Sequence, residues 1–317
     1  MKRKFVMVGL ILCSLILLFG CVNKATEKTE VEGKEEQISS ESKSEEETKD
    51  KLGSYTVQLD GEVHEEGDKF IIEGKSNLLP GSRLVSEVVL EADELHLDDE
   101  VFSDSTELVD EQGNFRMELE HHQYGEAEIL VRFDFEGQQE DDIKRHYGER
   151  GQKLDGPFVY KHEHFGDVFQ KAEVSVTYDP DEPSDLVFKQ PNWHDLPDDY
   201  GDPRVWIEIE DISDDGEFFY IHGISNLLEG SLIEVSYGFN SNDTQVQPDG
   251  SFDVKIDYEY LEDTDFIVEF NPGLSQWNSI NEVYGDQGEK LVGNLVVQHD
   301  YSDKQSIEAE IPWELDK

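Results

Sequence analysis

From about residue 51 the chain alternates short apolar and polar runs, such as Tyr55, Val57 and Leu59, then Phe70 and Ile72, separated by Gly, Asp and Asn. Alternation of this period puts successive side chains on opposite faces of an extended segment, so it predicts β-strands with one face buried. The texture continues almost to the last residue without the long helical periods that a parallel sheet needs for its crossovers. It therefore predicts an all-β chain.

The pattern also repeats. GKSNLLPGS, Gly74 to Ser82, returns as GISNLLEGS, Gly223 to Ser231. With those stretches in register, and about 12 residues between Glu91 and Asp110 treated as an insertion, Gly113 and Phe115 match Gly250 and Phe252. The strand Glu128 to Phe135 has a counterpart near Asp265 to Phe270, and Tyr147-Gly148 aligns with Tyr284-Gly285. A period of roughly 110 to 130 residues is too long for a solenoid unit and suits one independent β domain. The expected organisation is two tandem β-sandwiches of about seven strands each, residues 51–180 and 204–317, each with one short helix. Five of the ten prolines fall between Asp179 and Pro203, which makes 181–203 an extended, fairly stiff linker, with Trp193 and Tyr200 placed to dock it. At the level of architecture the pair resembles the immunoglobulin-like modules of bacterial surface proteins. That resemblance implies no catalytic residues.

The N-terminus has a different texture. Basic Lys2, Arg3 and Lys4 precede an apolar run from Phe5 to Phe19, then Gly20 and Cys21, the three parts of an export signal. The run is about 15 residues, shorter than the roughly 20 needed to span a bilayer. Leu18-Phe19-Gly20-Cys21 resembles the lipobox of bacterial lipoproteins. This resemblance implies that residues 1–20 are removed and that Cys21 becomes a diacylglyceryl cysteine holding the chain to the membrane. Cys13 lies in the removed segment, so thiol chemistry and disulfides are excluded from the mature chain. Residues 21–50, rich in Glu, Lys, Ser and Thr, read as a disordered acidic tether with a reach of about 30 Å.

Charge narrows the partners. The formal net charge is −49, and about −52 once the signal is gone. Nucleic acid is excluded as a partner because phosphate binding needs clustered Lys and Arg, and anionic headgroups are disfavoured for the same reason. The acidity means either solubility in a salty or alkaline exterior or binding of divalent cations. For calcium, the oxygen-rich candidates are Asp179 and Asp181, and Asp198 and Asp199, beside the linker. No other cofactor is expected.

The repeated motifs admit two readings each. Leu79-Pro80-Gly81-Ser82 suits a type II turn, and the second copy keeps Gly230 while Glu229 replaces Pro80. Asn77 and Asn226 are placed to bond backbone, and Leu78 and Leu227 to plug the sandwich ends. The alternative is a shared ligand loop. A second repeat, Tyr147, Gly148, Gly151, Lys153, Leu154 and Gly156, recurs as Tyr284, Gly285, Gly288, Lys290, Leu291 and Gly293. It reads either as a helix stop with an αL cap at Gly148 and Gly285 or as a loop that takes an anion or sugar on Tyr147, Lys153, Tyr284 and Lys290. His162-x-His164 has the spacing of a strand metal pair, matched in the second copy by His299 alone. No nucleophile elbow or zinc-protease motif is present. The expected function is a non-catalytic, lipid-anchored extracytoplasmic module that binds an envelope protein or polysaccharide. The alternatives are a structural spacer and a polysaccharide hydrolase.

Overall fold

A computed structural model describes residues 51–90, 103–122, 125–181, 185–259, 264–273, 275–300 and 302–313. The signal, Cys21 and the tether lie outside these residues. The chain is all-β, as its alternation requires. The first half runs β1 (Leu59–Glu66), β2 (Lys69–Ser76), β3 (Arg83–Leu90), β4 (Asp104–Leu108), β5 (Asn114–Glu120), β6 (Ala127–Phe133), α1 (Asp141–Tyr147), β7 (Val159–His164) and β8 (Asp167–Tyr178). The second runs β9 (Ile207–Asp214), β10 (Phe218–Ser225), β11 (Leu232–Tyr237), β12 (Asn240–Gln245), β13 (Ser251–Asp257), β14 (Phe266–Phe270), α2 (Asn278–Tyr284), β15 (Val296–Gln298) and β16 (Gln305–Ile311). Each half thus shows eight strands among the described residues, one more than the alternation predicts.

Both halves have one topology. In the first, a three-stranded sheet β1-β2-β5 and a five-stranded sheet β4-β3-β6-β8-β7 are antiparallel throughout; in the second, β9-β10-β13 and β12-β11-β14-β16-β15 repeat that order. The strands alternate as the sequence requires: β5 buries Phe115, Met117 and Leu119 and exposes the residues between them. Those side chains share one core with Leu84, Ile129, Val131, Phe133 and Val174 of the opposite sheet. The second core joins Phe219, Ile221, Phe252 and Val254 to Val235, Val268, Phe270 and Ile307 in the same way. Each buried Phe, Ile or Leu contributes about 1.5–3 kcal/mol of transfer free energy, so these inward faces hold the sheets together.

The stretch 181–203 does more than connect. Phe188 and Leu186 belong to the first core, and Val63 N–H and Phe188 N–H donate to Leu186 and Gly61 carbonyls, so 186–188 lies along β1 as an added edge. Among the described residues no helix is long and apolar enough to cross a membrane.

Candidate functional site

The nine-residue repeat serves the fold. A Cβ on Gly74 or Gly223 would run into the ring of Phe115 or Phe252, which cross there. Asn77 Oδ1 accepts from Gln58 N–H at 2.9 Å and its amide donates to Thr56 O at 2.8 Å. Asn226 does the same with Trp206 N–H, Asp199 O and Arg204 O. Leu78 and Leu227 are fully buried. Gly81 and Gly230 have φ of 87° and 84°, and Ser82 and Ser231 N–H close the turns on Leu79 O and Leu228 O at 3.0 Å. Positive φ is the conformational requirement both turns share.

The glycine-rich loops fasten each helix to its sandwich. Tyr147 and Tyr284 are fully buried, and their hydroxyls accept from Leu79 and Leu228 N–H at 3.0 and 3.2 Å. Burial pushes the Tyr147 hydroxyl up to about 12, so it stays protonated. Lys153 Nζ donates to His146 O at 3.0 Å, and Lys290 Nζ to Glu282 O at 2.6 Å, closing the helix C-terminal carbonyls. The αL cap is not what forms. Gly148 and Gly285 instead adopt φ 97°, ψ 157° and φ 90°, ψ 146°, a positive-φ conformation open essentially to glycine, and Gln152 or Glu289 lies over each glycine where a Cβ would collide. The four proposed ligand residues are therefore bonded to their own helices and turns, two in each sandwich.

A third repeated device carries no glycine signature and escapes a reading by motif. Gln139 and Gln276, both buried, use the amide to accept from and donate to the backbone at the start of β3 and β11: Arg83 N–H at 3.0 Å and Arg83 O at 2.8 Å, Leu232 N–H and O at 2.9 Å. The available signal was their identical place, eight residues before Tyr147 and Tyr284.

The aspartates proposed for calcium are divided. Asp179 Oδ1 accepts from Asp181 N–H in a local turn, whereas Asp199 accepts from the Trp206 indole N–H at 3.0 Å. The groups of metal-ligating side chains that the described residues bring together are His194, Glu210 and His222, and Glu269, His299 and Glu308. His162 and His164 bracket the carboxylate of Glu136, at 2.5 and 3.6 Å.

The Pro-to-Glu change in the repeat has a physical use. Glu229 is buried where the halves meet: its carboxylate accepts from Lys161 N–H at 2.5 Å and pairs with Lys161 Nζ at 3.2 Å, while Tyr200 OH accepts from Glu229 N–H. Glu163 of β7 accepts from Asn278 N–H at the start of α2, at 2.8 Å. Trp193 donates to Pro157 O and packs edge-on against Tyr160, and His194 N–H donates to Asp249. Trp193 thus docks the connection on the first sandwich and Tyr200 on the second.

Two surface features remain. The first is the β7–β8 hairpin tip. His164 pairs with Asp167, leaving Phe165-Gly166 as a two-residue turn with φ of 51° and 83°. Such a turn needs positive φ twice and favours Asn or Gly at the first place. Phe165 is the one non-glycine residue with positive φ among the described residues, and its side chain is 95% exposed. Phe239, 98% exposed, occupies the β11–β12 tip behind Gly238.

The second feature is the outer face of the five-stranded sheet in the second sandwich. Asp243, Glu234, Glu269 and Glu308 stand directly opposite one another on β12, β11, β14 and β16. Like charges in facing positions destabilise a sheet. Glu269 and Glu234 line a cleft of about 550 Å³ with Asp243, Asn271, Gln276 and Lys304. Burial, then the Glu308 and Glu234 charges, raise the Glu269 carboxyl above its ordinary range. Asn271 donates its amide to Glu269, and its Oδ1 is buried with no hydrogen-bond partner. His299 Nε2 lies 3.0 Å from Ser306 Oγ, which is 3.2 Å from Glu308 Oε1.

No protein-family model, curated protein or solved structure matches the chain. The chemistry of these surfaces is the guide to function.

Proposed function

We propose that this protein is a lipid-anchored extracytoplasmic module, held to the membrane by a diacylated Cys21 and a tether over 21–50, that presents two immunoglobulin-like sandwiches to an envelope protein or polysaccharide without catalysing a reaction. Phe165 carries this reading. A residue other than glycine held at positive φ costs on the order of 1 kcal/mol or more, and Phe165, 95% exposed, returns little of it: its ring meets the neighbouring His164 imidazole edge-on and takes no place in the core. A spacer has no use for it. A binding surface does, since a rigid aromatic fills an apolar pocket or stacks on a sugar ring. The clamp of Lys161 and Glu163 on the second sandwich holds the same hairpin and so aims the tip.

The test separates stability from binding. The chain without residues 1–50 is immobilised and exposed to envelope fractions, as wild type and as Phe165→Asn. Asn accepts positive φ, so the variant should gain about 0.5–1 kcal/mol in denaturant unfolding while losing capture of its partner. A variant that is more stable and captures equally well would leave the spacer reading in place.

A further inference from the structure

We infer that Glu269, Glu308 and His299 form a binding site for one divalent transition-metal ion of the zinc or manganese kind on the outer face of the second sandwich. The ligating atoms of the three side chains lie within 4.8 Å of one another, on β14, on β16 and just beyond β15. Donors bonded to one tetrahedral ion at about 2.1 Å stand about 3.4 Å apart, so side-chain rotation alone brings this set onto an ion while the backbone ladder stays as it is.

The first sandwich shows what such a place on the sheet requires. Register puts Arg132 where Glu269 stands, and Lys171 where Ser306 stands. Arg132 forks onto Glu87 at 2.5 and 2.7 Å and reaches Asp134 at 2.9 Å, and Lys171 pairs with Glu173, the counterpart of Glu308, at 2.7 Å. Two built-in cations neutralise that face. In the second sandwich both positions are uncharged or acidic, so the carboxylate row Glu234, Glu269 and Glu308 lacks the arginine and lysine of its twin.

Three further observations point to an ion. The row is half-buried rather than solvent-facing at Glu269, Glu308 and His299, which places it where a cation is worth more than screening by salt. Ser306 Oγ bridges the imidazole and a carboxylate, the role of a group that orients ligands from behind. Asn271, whose amide donates to Glu269, has an Oδ1 that is buried without a hydrogen-bond partner, an unused oxygen beside the first of the three ligands. One imidazole with carboxylates suits zinc or manganese. Calcium takes six to eight oxygen ligands and is disfavoured by the histidine.

His194, Glu210 and His222 provide the internal control. His222 is already held by Asp253 at 2.8 Å and Glu210 at 3.4 Å, and His194 and Glu210 are exposed.

The full chain, stripped with chelator, is titrated with Zn²⁺, Mn²⁺, Ca²⁺ or Mg²⁺ by equilibrium dialysis, alongside Glu269→Gln/Glu308→Gln, His299→Gln and His194→Gln/His222→Gln. The expected result is one equivalent of Zn²⁺ or Mn²⁺ whose Kd rises at least tenfold in the first two variants and is unchanged in the third. The His299 ring resonances should shift with that same equivalent, which separates ligation from a loss of folding. Equal Kd values across all variants would mean diffuse binding by an acidic surface and overturn the site. Loss only in the His194/His222 variant, or selection of Ca²⁺ over Zn²⁺, would also overturn it.

Discussion

The two sandwiches share a frame and differ in their outer sheet faces. In the first, the row Thr106, Val85, Arg132 and Glu173 crosses β4, β3, β6 and β8; in the second, Asp243, Glu234, Glu269 and Glu308 take the same places. The frame tolerates either solution because outward positions contribute little to the core that joins the sheets. The two copies keep the same turns and apolar inward faces and differ on their outward ones. Function is therefore to be sought where the copies disagree: Arg132 against Glu269, Lys171 against Ser306, and Pro80 against Glu229.

Breaking the first face should have the largest effect. Arg132→Glu strands Glu87 and Asp134 without their partner and adds a third carboxylate, so the first sandwich should lose about 3 kcal/mol, read as a lower midpoint in denaturant unfolding. An unchanged midpoint would mean that the pairing is ornamental. Glu229→Pro, which makes the second turn like the first, removes both the carboxylate acceptor of Lys161 and the N–H that Tyr200 OH accepts, and should cost about 1–2 kcal/mol, the Lys161 share discounted because that side chain is partly exposed. Small-angle scattering should then show a broader distribution of distances between the halves.

The smallest effect concerns pH. Glu269 has a folded-state pKa above its ordinary value, so its ionisation opposes folding: the penalty is absent below about 4.5, sets in as pH rises through the raised value, and is complete above it. Glu308 and Glu234 raise that value, Asn271 and His299 oppose it, and Asp243 and Lys304 face the same cleft. Metal-free Glu269→Gln should show a flatter fall in Tm over that window than wild type. Identical profiles would remove Glu269 from the cost.

Much of this was legible in the chain itself. Alternation predicted the strands, the repeat predicted two matched sandwiches, and the turn at Gly81 and Gly230 followed from the need for positive φ. The site was not legible. Glu234, Glu269 and Glu308 are three among 75 acidic residues, and nothing in their spacing, 35 and 39 residues apart, marks them as neighbours. His299 was visible only as the unpaired match of His162. Tyr147 and Lys153 were legible as a repeat open to two readings, and in the structure both fasten helix to sandwich.

What the sequence determined by itself was local and periodic: which faces turn inward, where a glycine is obligatory, and where the second copy begins. Only the tertiary structure decided which carboxylates face one another across β12, β11, β14 and β16, that Glu229 closes the junction on Lys161, and that Phe165 stands exposed in a strained turn. The reason is physical. Turn and strand preferences act between residues a few places apart, whereas cross-strand register joins positions whose separation in the chain is set by loops of arbitrary length.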